Sequence, residues 1–219
     1  MQLLTAPRIL RRAALAGGLT TVACLPRLLV WTQNVYPVWF SAVVIALTSA
    51  VMWGFVLAWE ERSLGRAPFA LPRSAQLWQA ASLFACVAAG YRLAVLDPVL
   101  LSHRLAERPA SFAQWLAAGL FQLSFLQLFL LLAPVALCSR LFRDRRAAMG
   151  IAVLLGLYVT WRALARSEAD PSPALVLQVL LARALSDGFA VWFYQRGGVF
   201  VSWWIAIVVH ARHLLLWLA

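Results

Sequence analysis

Long apolar runs separated by short polar clusters dominate the chain. A helix that crosses a membrane needs about 20 mostly apolar residues. Six stretches meet that test well or nearly so: 36–59, 75–97, 111–137, 147–165, 173–194 and 198–218. A seventh, 13–31, is weaker because Pro26 and Arg27 interrupt it. Turn-forming sequences lie between them, among them Gly65-Arg66-Ala67-Pro68, Asp97-Pro98, Pro171-Ser172-Pro173 and Arg196-Gly197-Gly198. No internal repeat or low-complexity tract is evident. The pattern predicts an all-α polytopic membrane protein with about seven transmembrane helices, forming one domain over 1–219.

Composition sharpens this picture. Of the 219 residues, 63% are hydrophobic and 12% charged, and the mean hydropathy is +0.81. A soluble domain is nearer half apolar and a quarter charged. A water-soluble globule, a disordered tail and a disulfide-stapled module are therefore excluded. The formal net charge is +11, and all 19 basic residues are Arg. They cluster between apolar runs, as arginines at membrane boundaries do. The expected acidic partner is thus membrane lipid rather than nucleic acid.

Seven spans separate the arginines unevenly. One set of loops holds Arg8, Arg11, Arg12, Arg62, Arg66, Arg73, Arg140, Arg143, Arg145, Arg146 and Arg196, and the other only Arg104, Arg108 and Arg166. This asymmetry places the N-terminus in the cytoplasm and the C-terminus outside. It also supports counting the weak first span, which carries no processing signal and is expected to stay in the membrane. Trp31, Trp39, Trp59, Trp115, Trp192 and Trp217 stand near span ends and suit interfacial belts. Cys24, Cys86 and Cys138 lie in apolar stretches without a CxxC, so they read as small packed residues rather than a metal site or disulfide framework.

Ionisable groups inside spans are costly, and each is a candidate for function. Arg92 lies late in the third span, where its long side chain is expected to snorkel to the interface. Arg183 and Asp187 are four apart in the sixth span and can form a structural intramembrane pair. Gln122 and Gln127 can bond neighbouring helices. His210, Arg212 and His213 form the densest cluster, with the two histidines on one face. The one other histidine, His103, falls in a loop. No HExxH, GxSxG or Gly-rich phosphate loop occurs, so no metal or cofactor is expected. Glu60-Glu61 at the end of the second span reads either as a general-base pair or as a solvated pair beside Arg62.

From about residue 130 onward the chain resembles the CPBP family, the CAAX-processing and bacteriocin-processing (Abi-type) intramembrane proteases. Gly188-Phe189-Ala190-Val191-Trp192-Phe193-Tyr194-Gln195-Arg196-Gly197-Gly198 resembles the family's run G-x-x-x-G/W-x-Y-x-R-T-G. Ser202-Trp203-Trp204-Ile205 and then His210-Ala211 resemble the approach to its HxxxN motif. Ala133-Pro134 and Cys138-Ser139-Arg140-Leu141-Phe142-Arg143 stand where EExxFR is expected, and Tyr158-Val159-Thr160-Trp161-Arg162 where FxxxH is expected. The resemblance implies a CPBP-like bundle over about 130–219.

The departures bear on chemistry. The family's water-activating glutamates correspond to Cys138 and Ser139, its second-motif histidine to Arg162, and its asparagine to Leu214, while His210 matches. A thiol or hydroxyl does not replace a carboxylate as a base for water. Arg has no accessible neutral form with which to shuttle a proton. The expectation is a pseudoenzyme of the bacterial inner membrane that binds a membrane-protein partner as a chaperone or assembly factor. Two alternatives remain. Cys138, Arg162 and His210 are the three residue types used by sortase-like membrane transpeptidases, including exosortases, and fit a Cys-dependent endopeptidase or transpeptidase. An accessory subunit of a respiratory, photosynthetic or transport complex is the other.

Overall fold

The computed structural model describes residues 7–30, 36–63, 65, 69–102, 109–142, 144–166 and 171–218. Among them are seven helices: α1 (Pro7–Val30), α2 (Val38–Ser63), α3 (Ala75–Ser102), α4 (Phe112–Phe142), α5 (Arg145–Ala165), α6 (Pro173–Gly197) and α7 (Val199–Leu218). The first six are long and apolar enough to cross a membrane. α7 is also apolar, but its described side chains cover the shorter stretch Val199–Leu215. The protein is an all-α polytopic membrane protein, and the weak first span is a helix like the others.

Local chemistry fixes several starts. Ser74, Ser111 and Ser172 each accept a hydrogen bond from the backbone N–H three residues on, capping α3, α4 and α6. Pro173, in the first turn of α6, has no N–H to leave unpaired there. α6 ends at Gly197, and a single residue, Gly198, joins it to α7. Gly198 has φ 75°, in the region that favours glycine, and its N–H returns to Tyr194 O.

Four spans outrun their expected ends, α6 by running on to Gly197. α2 continues through Glu60-Glu61 to Ser63, and α4 continues to Phe142. α3 continues through Asp97-Pro98, which reads as a turn in the sequence, to Ser102. The reason is a π-helical turn over Arg92–Leu96, after which the Asp97 N–H bonds Arg92 O. Pro98 cannot donate, and its ring would crowd the carbonyl four residues back in a regular helix. The wider turn immediately before it relieves both demands. α4 repeats the arrangement, with a π turn over Leu128–Leu132 and then Ala133-Pro134.

The helices gather into two compact units. Met1–Ala70 and Ala110–Ala148 form the first, and Leu71–Pro109 and Met149–Ala219 the second. Residues 130–219 therefore begin in the first unit and lie mostly in the second.

In the first unit, α1 packs along α2 through a seam of small residues. Ala13, Ala16, Gly17, Thr20 and Cys24 recur at helical spacing on the buried face of α1. Close approach of small residues is how membrane helices gain packing without a hydrophobic drive between them. Trp53 Nε1 donates to Thr20 Oγ1 at 2.9 Å across the seam. α4 joins through Ser124, whose hydroxyl lies 3.5 Å from Cys24 Sγ.

In the second unit, α3 packs on α7 through Ala81, Ala85, Val201, Ile205 and Val209, with Phe193 of α6 completing the cluster. Trp204 Nε1 donates to Ser82 Oγ at 2.8 Å. A second cluster unites Leu96, Leu164, Leu175 and Val179 from α3, α5 and α6. Outward apolar residues such as Leu83, Val87, Leu177, Leu181 and Leu185 are exposed, as lipid-facing positions are.

Candidate intramembrane charge cluster

The second unit brings most of its intramembrane charge to one place. Arg212 of α7 reaches Asp97 of α3 with both ends of its fork, Nε to Oδ2 at 2.7 Å and Nη2 to Oδ1 at 3.3 Å. Its Nη1 donates to Val209 O at 2.8 Å. Both side chains are less than a tenth exposed. A planar guanidinium suits this two-point grip on a carboxylate.

On α6, Arg183 Nε donates to Asp187 Oδ2 at 2.7 Å, the pair that the four-residue spacing permits. Gly156 of α5 makes room for it. A Cβ at that position would overlap the Asp187 carboxylate and stand 3.2 Å from Arg183 Nε. Both pair members lie about ten residues from the nearer end of α6, roughly 15 Å at 1.5 Å per residue. They are thus near the middle of the span.

Arg92 does not lead away from this group. Its guanidinium is in electrostatic reach of Arg212, Asp97, Arg183 and Asp187. The π turn explains the placement. In a regular helix, residues five apart point about 140° apart, at about 100° per residue. The bond from Asp97 N–H to Arg92 O stacks these two residues one wide turn apart instead. α3 thereby delivers a cation and an anion to the same side.

His210 and His213 complete the cluster on α7. Their ring centroids are 5.4 Å apart and nearly perpendicular. His213 stands in the field of Arg212, His210, Asp97 and Arg92, and its Nδ1 is buried without a hydrogen-bond partner. Among the described residues, no group of three or more metal-ligating side chains comes together.

Other candidates are placed differently. Cys138 is buried in α4 and belongs to the first unit, whereas Arg162 and His210 belong to the second. Arg162 is exposed near the end of α5, and His210 is buried. Ser139 Oγ is buried without a hydrogen-bond partner. Glu60 and Glu61 also lie in the first unit. Glu60 is buried and accepts from the Phe69 N–H at 3.3 Å, while Glu61 pairs with Arg8. They are not a solvated loop pair with Arg62, because α2 runs through them and folds them against α1 and the segment that follows. Trp59 is buried, Trp39 is exposed, and Trp192 lies under the Arg196 guanidinium at 4.0 Å. Trp31 and His103, and the Trp217 side chain, lie outside the described residues.

Sequence reasoning missed Asp97, because an Asp-Pro step reads as a turn. A signal was present: Arg212 sits in an apolar helix with no acid near it in sequence, so a distant carboxylate had to serve it. The chain matches no family model, no curated protein and no solved structure.

Proposed function

We propose that the chain is a multi-pass protein of the bacterial inner membrane, with a CPBP-like second half, that acts by binding a membrane partner and not by hydrolysis. One observation carries this reading: Cys138 and Ser139 stand where the resemblance expects the water-activating glutamates, and the two aspartates of the charge cluster are each gripped by an arginine. Asp97 is gripped by Arg212 and Asp187 by Arg183. Glu60 accepts from Phe69 N–H, Glu61 pairs with Arg8, and Asp144 accepts from Arg146 N–H at 2.8 Å. The two aspartates of the charge cluster stand with separate guanidiniums and not as a pair.

A partner role suits the remaining features. A chaperone or assembly factor needs helices whose polar groups are fixed and whose outer faces can pack against another chain. Replacement of Cys138 and His210 by Ala, each in a strain lacking the chromosomal copy, is expected to leave the cellular role intact. Loss of that role by either variant, with the protein still inserted and folded, overturns the reading in favour of a thiol-dependent peptidase or transpeptidase.

A further inference from the structure

The charge cluster does not balance. Arg92, Arg183 and Arg212 supply three positive charges, and Asp97 and Asp187 supply two negative ones. The count is independent of which guanidinium grips which carboxylate at a given moment. One cation is always left over among the described residues, and arginine cannot shed its proton to relieve it. In the observed arrangement the leftover is Arg92, which makes no ion pair among the described residues, because Asp97 is held by Arg212 and Asp187 by Arg183.

A second group beside it is also unsatisfied. His213 Nδ1 is buried and unbonded, and the same Arg92 charge acts on that ring. A buried ring nitrogen with no partner is costly unless something polar reaches it. Two groups able to donate, each in electrostatic reach of Asp97 and Arg212, therefore have no acceptor among the described residues. The π turn that carries Arg92 into the group is a distortion of the kind often found at functional sites.

We propose that the second unit binds one phosphate group between the Arg92 guanidinium and the His213 ring. The guanidinium fork matches two phosphate oxygens, and His213 Nδ1–H donates to a third. The bound charge cancels the excess, and Arg212 stays paired with Asp97. Arg92 lies ten residues before Ser102, about 15 Å from that end of α3. The phosphate is either free in solution and enters between the helices, or is the headgroup of an anionic lipid drawn in beside them. The site is independent of whether the chain cleaves peptides.

Thermal unfolding of the full-length protein in neutral detergent tests this, followed by tryptophan fluorescence. One arm titrates inorganic phosphate against chloride at equal ionic strength. The other compares discs of phosphatidylglycerol with discs of phosphatidylcholine. The wild type is expected to be stabilised in at least one arm; a response to phosphate identifies a free anion, and a response to phosphatidylglycerol alone identifies a headgroup. Arg92→Gln is expected to weaken half-saturation about tenfold or more, with Arg92→Lys between the two. Arg162→Gln, which removes an exposed arginine of the same unit, is expected to respond like the wild type. His213→Phe keeps every fixed charge and carries the same test if Arg92→Gln does not accumulate. A wild type that responds in neither arm overturns the proposal, as do Arg92 and His213 variants that respond like Arg162→Gln.

Discussion

Two adjacent glycines in α1 form a matched pair for measuring how tightly the α1–α2 seam is packed. A Cβ added to Gly17 would stand 2.7 Å from Ala50 N, 2.8 Å from its Cα and 2.9 Å from its Cβ. A Cβ added to Gly18 would meet nothing within 4 Å. Replacing Gly by Ala in a helix gains about 1 kcal/mol of intrinsic propensity in water. Both substitutions carry that gain, so it drops out of their difference. What remains is the cost of forcing α1 and α2 apart. Carbon contacts are optimal near 3.5–4.0 Å, so the helices must separate locally by about 1 Å. Overpacking of this kind costs about 1–3 kcal/mol. Gly17→Ala is therefore expected to be less stable than Gly18→Ala by about 1–3 kcal/mol. Ala50→Gly should rescue it only in part, because two of the three close atoms belong to the Ala50 backbone. Equilibrium unfolding in mixed micelles reads the difference. Trp53, which bonds Thr20 across the seam, reports locally when its fluorescence is separated by comparison with Trp53→Phe. A Gly17→Ala protein as stable as Gly18→Ala would refute the seam.

Three further outcomes follow from contacts in the two units. Gly156→Ala is expected to displace the Arg183–Asp187 pair and lower the yield of folded protein, while Gly150→Ala, on the same helix with open space at its Cβ, is expected to be tolerated; size-exclusion profiles in detergent decide. Asp97→Asn and Arg212→Gln should each destabilise by about 3–5 kcal/mol, and the double variant by clearly less than their sum, because each single change strands a buried charge or its partner. A chemical unfolding cycle measures the coupling. The Arg8–Glu61 pair, in which Arg8 is largely exposed, should couple by no more than about 1 kcal/mol and weaken further in salt.

Legibility in the sequence followed the range of the interactions. The seven helices could be read because each is specified by its own apolar run. Their ends were harder. α2, α3 and α4 overran because a helix can absorb charges or a proline where tertiary packing or a widened turn accommodates them. The Arg183–Asp187 pair was visible because four residues of helix bring its members together. Asp97 and Arg212 are 115 residues apart, and nothing in either local sequence names the other. The division into two units was likewise hidden. It depends on α1, α2 and α4 packing together, and a span that is apolar on every side does not say which neighbour each side will meet.

The same distinction of range shows how the cluster is held. The Arg183–Asp187 pair is closed within one helix, so by itself it ties nothing together. It becomes a tertiary element only because α5 presents Gly156, the one residue without a Cβ to displace it. Asp97–Arg212, in contrast, locks α3 to α7 near the end of the apolar seam built from Ala81, Ala85, Val201, Ile205 and Val209. An arginine or aspartate at the centre of a membrane helix costs about 2.5–3.5 kcal/mol on insertion scales, and apolar residues could close the same seam without that cost. A structural role accounts for a balanced pair. It does not account for Arg92, which adds a third cation beside two satisfied ones and is brought there by a π turn that interrupts the regular hydrogen bonding of α3. The excess charge, and not the pairs, is therefore the feature of this membrane unit that calls for a ligand.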